Sequence, residues 1–128
     1  ASVVQVVIGK KNKLKIEKVD VVIDFGRIIN PDIVLSQVEG SVLMGISVAL
    51  KEEITFYDGR VLQSNYDDYK IARMKDCPEI NVTIIESDED VRGIDGSLMP
   101  IPPAITNAIF AATGKRIRKL PIAKQKLV

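Results

Sequence analysis

The sequence predicts an α+β fold, with a mixed or antiparallel sheet and two main helices over about 31–53 and 103–113. Three observations carry that expectation: apolar, β-branched runs at 3–8 and 14–25, a proline-led helix signal after Asn30, and a second such signal at Pro103. With 128 residues, 46% of them hydrophobic, residues 1–128 are expected to form a single domain burying about two-thirds of the unfolded surface.

"VVQVVI" at 3–8 reads as a strand, "GKKNK" as a polar turn, and "LKIEKVDVVIDF" at 14–25 as a second strand that alternates early and then becomes apolar. Asn30-Pro31-Asp32 follows. Asn caps the first free N–H groups, Pro loses nothing at the first helical position, and Asp favours the positive end of the helix dipole. The helix should run to about Glu53. "ITFYDGRVLQS" offers two short strands around Asp58-Gly59, a favoured two-residue turn, and "PEINVTII" at 78–85 alternates like a further strand, giving a sheet of at least four or five strands. From Glu86 to Pro103 an acidic run, glycines and prolines mark a long loop, a place where function concentrates. "PAITNAIFAATG" then reads as a helix of about three turns, stopped by Gly114, with Lys115, Arg116 and Arg118 complementing its C-terminus. "IRKLPI" reads as a closing strand and "AKQKLV" as a frayed tail.

The first helix carries an unusual face. Gln37, Ser41, Gly45 and Ala49, four apart, form a nearly flat stripe. A glycine inside a helix costs about 1 kcal/mol relative to alanine, so Gly40 and Gly45 predict close approach of another backbone or a flat ligand. Ordinary packing of helix on sheet with a surface glutamine remains the alternative. The Gln37 amide donates and accepts at once, which suits the edge of a heterocycle as well as a neighbouring peptide.

Composition removes several function classes. The chain has no histidine, which closes Ser-His-Asp, Cys-His and His-ligated metal schemes to this chain acting alone, so no metal-ligating residue is assigned. Cys77, the sole cysteine, excludes an internal disulfide and is expected to be a buried, inert thiol. Lys plus Arg total 18 against 17 Asp plus Glu, a net +1 that selects neither nucleic acid nor an acidic membrane. The basic cluster from Lys115 to Lys119 lacks interleaved aromatics, and "ATGKR" lacks the glycine and hydroxyl residue of a phosphate loop. Gln37, Glu39 and Lys51 interrupt the longest apolar run, so no membrane span is expected.

Three blocks together carry a resemblance: "DFGRIINPDIVLSQVEGSVLMGISVALKEE", "DGRVLQSNYDDYKIARMKDCPEINV" and "PAITNAIFAATGKRIRKLPI". Their D-x-G…N-P…Q-x-E-G and P-A-I-x-N-A-I-x-x-A-T-G-x-R patterns, over roughly residues 15–122, resemble the C-terminal end of the molybdenum subunit in the xanthine dehydrogenase and aldehyde oxidase family. The isoquinoline 1-oxidoreductase β-subunit type is the nearest in flavour. The resemblance implies a part of a larger molybdopterin-binding domain, in an enzyme that oxidises an N-heterocycle or aldehyde carbon with water as the oxygen source. It implies a molybdenum-pterin cofactor, as molybdopterin or its cytosine dinucleotide, whose metal hangs on the pterin's own sulfurs. It implies as partners the remainder of the molybdenum subunit and a small iron–sulfur subunit, in the cytoplasm, or in the periplasm should a signal precede Ala1. Gln37, with Gly40 and Ser41 beside it, falls where that family contacts the pterin.

The family's G-x-G-E-P-G ahead of the last helix supplies the general base. Counted back without gaps from Pro103-Ala104-Ile105, "RGIDGS" stands there, with Asp95 at the Glu position and Arg92 and Ile94 in place of the two glycines ahead of it. Aspartate is a competent base, one methylene shorter, although Asp-Gly is also a common turn pair. Three readings follow: the C-terminal portion of a molybdenum hydroxylase, inactive as an isolated chain; a stand-alone, non-catalytic remnant that binds a partner; and an unrelated α+β binding module.

Overall fold

The computed structural model describes residues 1–93 and 99–127. The first apolar run forms strand β1 (Ser2–Gly9), which passes through a short 3-10 segment at Lys10–Asn12 into β2 (Lys13–Ile23). The two are antiparallel, with one extra residue in β2: Gln5 faces Lys18 while Val6 faces Ile16. That bulge at Glu17 re-phases the alternation. Leu14 and Ile16 before it, and Val19, Val21 and Ile23 after it, therefore all point at the core.

Helix α1 spans Pro31–Leu50, starting as expected and ending about one turn early. The charges beyond Leu50 are drawn to separate partners: Lys51 to Asp76, Glu52 to the Tyr69 hydroxyl at 2.6 Å, and Glu53 to Lys124. Burial pushes the Asp76 carboxyl up, but the Lys51 ammonium and the Arg73 N–H outweigh it and hold it below the usual range. By length and composition alone α1 could cross a membrane, so Gln37 and Glu39 interrupt the run less than the sequence suggested. Val38, Val42, Ile46 and Ala49 are instead fully buried in the protein core.

Strands β3 (Phe56–Tyr57) and β4 (Arg60–Val61) flank the Asp58-Gly59 turn, where φ is 48° and 73°. They form a sheet of their own, which corrects the expectation of one sheet with four or five strands. All four residues are exposed, so the hairpin has no apolar face to lay on the core. Strand β5 (Glu79–Ile84) pairs in parallel with β2, giving a mixed three-stranded sheet of order β1-β2-β5.

Helix α2 spans Ile101–Thr113, two residues longer at its start than expected. Pro102 and Pro103 both sit in the first turn, where their missing N–H groups are not needed. Gly114 closes it in the left-handed region, φ 72°, with its N–H on the Phe110 carbonyl at 2.7 Å. Both helices pack on the same sheet face and on each other. They approach closely at Gly45, where an added Cβ would lie 2.7 Å from the Ile101 Cβ.

Two sequence expectations fail near the C-terminus. No strand forms at 117–122: Pro121 has no N–H for a ladder, and Ile122–Lys124 is a 3-10 turn. The tail is tied down, with Ile122 and Leu127 buried. The Asn12 amide donates to the Gln125 carbonyl at 2.8 Å and its oxygen accepts from the Leu127 N–H. Cys77 is exposed, not buried, because it follows a surface 3-10 segment at Met74–Asp76 and precedes Pro78.

Candidate functional site

Two neighbouring features at the N-terminal half of α1 form the candidate site. The first is the pair of segments 23–27 and 85–92, which run side by side where β2 and β5 end. Three backbone bonds join them: Ile85 N–H to the Ile23 carbonyl at 2.8 Å, Arg27 N–H to Glu89 at 2.9 Å, and Arg92 N–H to Phe25 at 2.9 Å. Asp24 supports the crossing. Its Oδ1 accepts from the Gly26 N–H and from the Ser87 hydroxyl, both at 2.9 Å. Gly26 takes φ 74°, and a Cβ there would fall 2.1 Å from the Asp90 carbonyl oxygen, so only glycine fits.

The Gly26 N–H and then the Ser87 hydroxyl hold the Asp24 carboxyl below the usual carboxylate range, with Arg92 adding a smaller pull. A depressed folded pKa stabilises above the unfolded value of about 4 and is lost as pH falls through the folded one. The crossing is therefore expected to stay intact from neutral pH down past about 4 and to loosen only in stronger acid. An NMR titration of the Ser87 and Gly26 amide signals checks this; a midpoint at or above the ordinary Asp value would contradict it.

Two clefts flank this crossing. One of about 600 Å³ lies between Arg27, Pro31, Glu86 and Asp88. The other, about 290 Å³, is walled by Phe25, Ile33 and Val91 with Arg27 and Arg92 at its edge. The helix start between them is fixed by Asn30, whose side chain accepts the Ile33 N–H at 3.2 Å, with Pro31 as the first helical residue.

The second feature is the outward face of α1. Ile33, Gln37, Gly40 and Met44 recur at helical spacing, and all four are exposed, Ile33 at 58% and Met44 at 59%. A Cβ on Gly40 would meet nothing within 4 Å. The flat stripe predicted from the sequence thus divides: Gly45 is buried under Ile101 of α2, Ala49 is buried in the core, Ser41 is half-buried, and Gln37 is open. Gln37, Gly40 and Ser41 come together on one surface, outside both clefts. Asp95 lies outside the described residues. The sequence reading missed Asp24 and Ser87, although Asp24-x-Gly26 is a pattern that favours a side-chain-capped turn. It also missed Ser47, whose buried hydroxyl accepts the Ala72 N–H at 2.9 Å and holds the 65–77 segment to α1.

This surface fits one edge of a planar heterocycle, with an amide that donates and accepts, a glycine under open space and a nearby hydroxyl. It forms one wall and encloses nothing. Among the described residues no group of three or more metal-ligating side chains occurs, so a metal at this face needs ligands from elsewhere.

A mixed three-stranded sheet backs one long helix whose outward face is open and bears a glycine. Residues 1–78 match the molybdopterin cofactor-binding domain, and the chain belongs to that family. Isoquinoline 1-oxidoreductase subunit beta of Brevundimonas diminuta is 38% identical over 113 residues, which are 88% of this chain and 14% of that subunit. The xanthine dehydrogenase molybdenum-binding subunit of Escherichia coli is 34% identical over 123 residues, covering 90% of this chain and 16% of the relative. The crystal structure of quinoline 2-oxidoreductase from Pseudomonas putida 86 matches with a TM-score of 0.77 at 26% identity, covering 88% of this chain and 16% of that one. The chain therefore spans about one-seventh of the length of these relatives.

Proposed function

We propose that residues 1–128 are one domain, the C-terminal segment of the molybdenum-bearing subunit of a hydroxylase acting on an N-heterocycle or an aldehyde. The open face of α1 carries this reading, because an exposed interior glycine with no neighbour over it is costly in a helix unless something flat covers it. Gln37 would hydrogen-bond the pterin edge, Gly40 would let the ring lie close, and the Ser41 hydroxyl would add a contact. Molybdenum carried on molybdopterin, or on its cytosine dinucleotide, would supply the two-electron oxidation R–H + H2O → R–OH + 2e⁻ + 2H⁺, with a small iron–sulfur subunit taking the electrons. Asp95, at the family's Glu position, would accept a proton from the water-derived oxygen. The chain alone should bind no cofactor and be inactive, since a cofactor is normally enclosed on most sides and this chain offers one wall.

Gly40 gives the test two readouts with opposite signs. In the chain alone, Gly40→Ala should raise stability by roughly 0.5–1 kcal/mol, because the methyl meets no atom and the helix gains propensity. In the cofactor-bearing subunit the same methyl should lower pterin and molybdenum content. Gln37→Ala should speed cofactor loss on dialysis by roughly two- to tenfold, the worth of one neutral hydrogen bond. Unchanged cofactor content and retention in both variants would refute the assignment of this face and favour a partner-binding role.

A further inference from the structure

We propose that the outer edge of β1 takes up one more strand, an uncharged, extended segment supplied by the part of the subunit outside residues 1–128, which enlarges the three-stranded sheet in the assembled enzyme. The inference rests on the reading of this chain as one segment of a longer molybdenum-bearing subunit, whose relatives are about seven times its length. β1 is an edge of the sheet. At its start Ala1 and Val22 exchange both backbone bonds, the Ala1 nitrogen donating to the Val22 carbonyl at 2.7 Å and the Val22 N–H to the Ala1 carbonyl at 2.9 Å. Antiparallel pairing alternates, so Val3 opposite Asp20 repeats this arrangement, while Ser2 and Val4 turn their N–H and C=O groups away from β2. Among the described residues nothing hydrogen-bonds to those outward groups.

Free sheet edges are normally guarded by lysine, by proline or by a very short strand. β1 has none of these guards: it runs for eight residues, SVVQVVIG, without a charge or a proline, and Val3 on its outer face is 68% exposed. The opposite edge, β5, is six residues long and opens on Glu79. The helix packed on β1 is α2, which also carries no charge from Ile101 to Thr113, although Pro103, Asn107, Ala111 and Ala112 are exposed. Two adjoining elements without a charge, in a chain of which 27% is charged, have the composition of the centre of an interface. Such a surface suits a permanent neighbour more than an exchanging one, and a segment of the same subunit is permanent. Val4, Val6 and Ile8 already pack toward the core, so the incoming strand would continue that face with alternate apolar side chains.

The test is amide hydrogen exchange in the whole subunit, read at Ser2 and Val4. Both amides should exchange at least about 100-fold more slowly than an unprotected amide. Ser2→Pro removes one outward N–H and no bond to β2, at the first residue of an edge strand, where proline is tolerated. It should speed exchange at Val4 by roughly three- to tenfold, the worth of one neutral hydrogen bond, and leave Val19 and Val21 in the core unchanged. Fast exchange at Ser2 and Val4 in the parent subunit would overturn the proposal, and so would an unchanged Val4 in Ser2→Pro. Protection that disappears on dilution, in step with a dimer, would give the edge to a second copy and overturn it as well. The readout involves no cofactor, so failure of the pterin assignment of the α1 face would leave this proposal standing, and fast exchange at the β1 edge would leave that assignment intact.

Discussion

Asp95→Asn in the cofactor-bearing enzyme is expected to lower kcat by at least about 100-fold, the lower end of what a positioned acid–base group contributes, with cofactor content unchanged. The expectation comes from sequence register: Asp95 stands nine residues before Ala104, at the place of the family's Glu, although Arg92 and Ile94 replace the two pattern glycines ahead of it. Asparagine keeps the size and loses the proton acceptor, so its effect isolates chemistry from packing. A shorter side chain holds its carboxylate back by one methylene, which predicts a suboptimal base. Asp95→Glu combined with Ile94→Gly should therefore raise turnover above that of the parent. Equal turnover in the parent, Asp95→Asn and the restored pattern, at full cofactor loading, would mean the loop has lost its chemical role.

What was legible in the sequence was local. The Asn30-Pro31 helix start, the Asp58-Gly59 turn and the Gly114 stop each depend on two or three neighbouring residues, and each lies where those residues put it. Pairing across long separations was not legible. Nothing in "PEINVTII" says that it joins β2 in parallel while the intervening hairpin stays apart, because register depends on the shared core face and not on either strand alone. The tail looked frayed because its anchor, Asn12, lies more than a hundred residues upstream. The site was partly legible for the same reason. That Gln37, Gly40 and Ser41 share one face follows from helical spacing, whereas the Asp24–Ser87 contact joins two loops that the sequence does not relate.

Glycines 40 and 45 look alike in sequence and should behave oppositely in the protein. Gly45→Leu is expected to destabilise by about 3 kcal/mol, the upper end of typical overpacking costs, because even its first carbon would sit 2.7 Å from the Ile101 Cβ and 3.0 Å from Cγ2. That is a large share of the roughly 5–15 kcal/mol that holds a domain folded. Gly40→Leu, on the same helix and one turn away, should be neutral or stabilising, since its Cβ meets no atom within 4 Å. A urea titration reads both, as a fall in midpoint for the first and none for the second, at unchanged slope. The contact with Ile101 can be isolated further. Ile101 is fully buried, and Ile101→Ala alone should cost about 2–5 kcal/mol through lost burial and a cavity. Gly45→Ala should then cost less than it does in the parent, because alanine at 101 removes the Cγ2 and Cγ1 atoms at 3.0 and 3.2 Å while keeping the Cβ at 2.7 Å. The double variant should be more stable than the sum of the singles by about 0.5 kcal/mol or more, as expected for residues in contact. Strict additivity would show that α1 and α2 do not meet at this point, and the close helix crossing would have to be withdrawn.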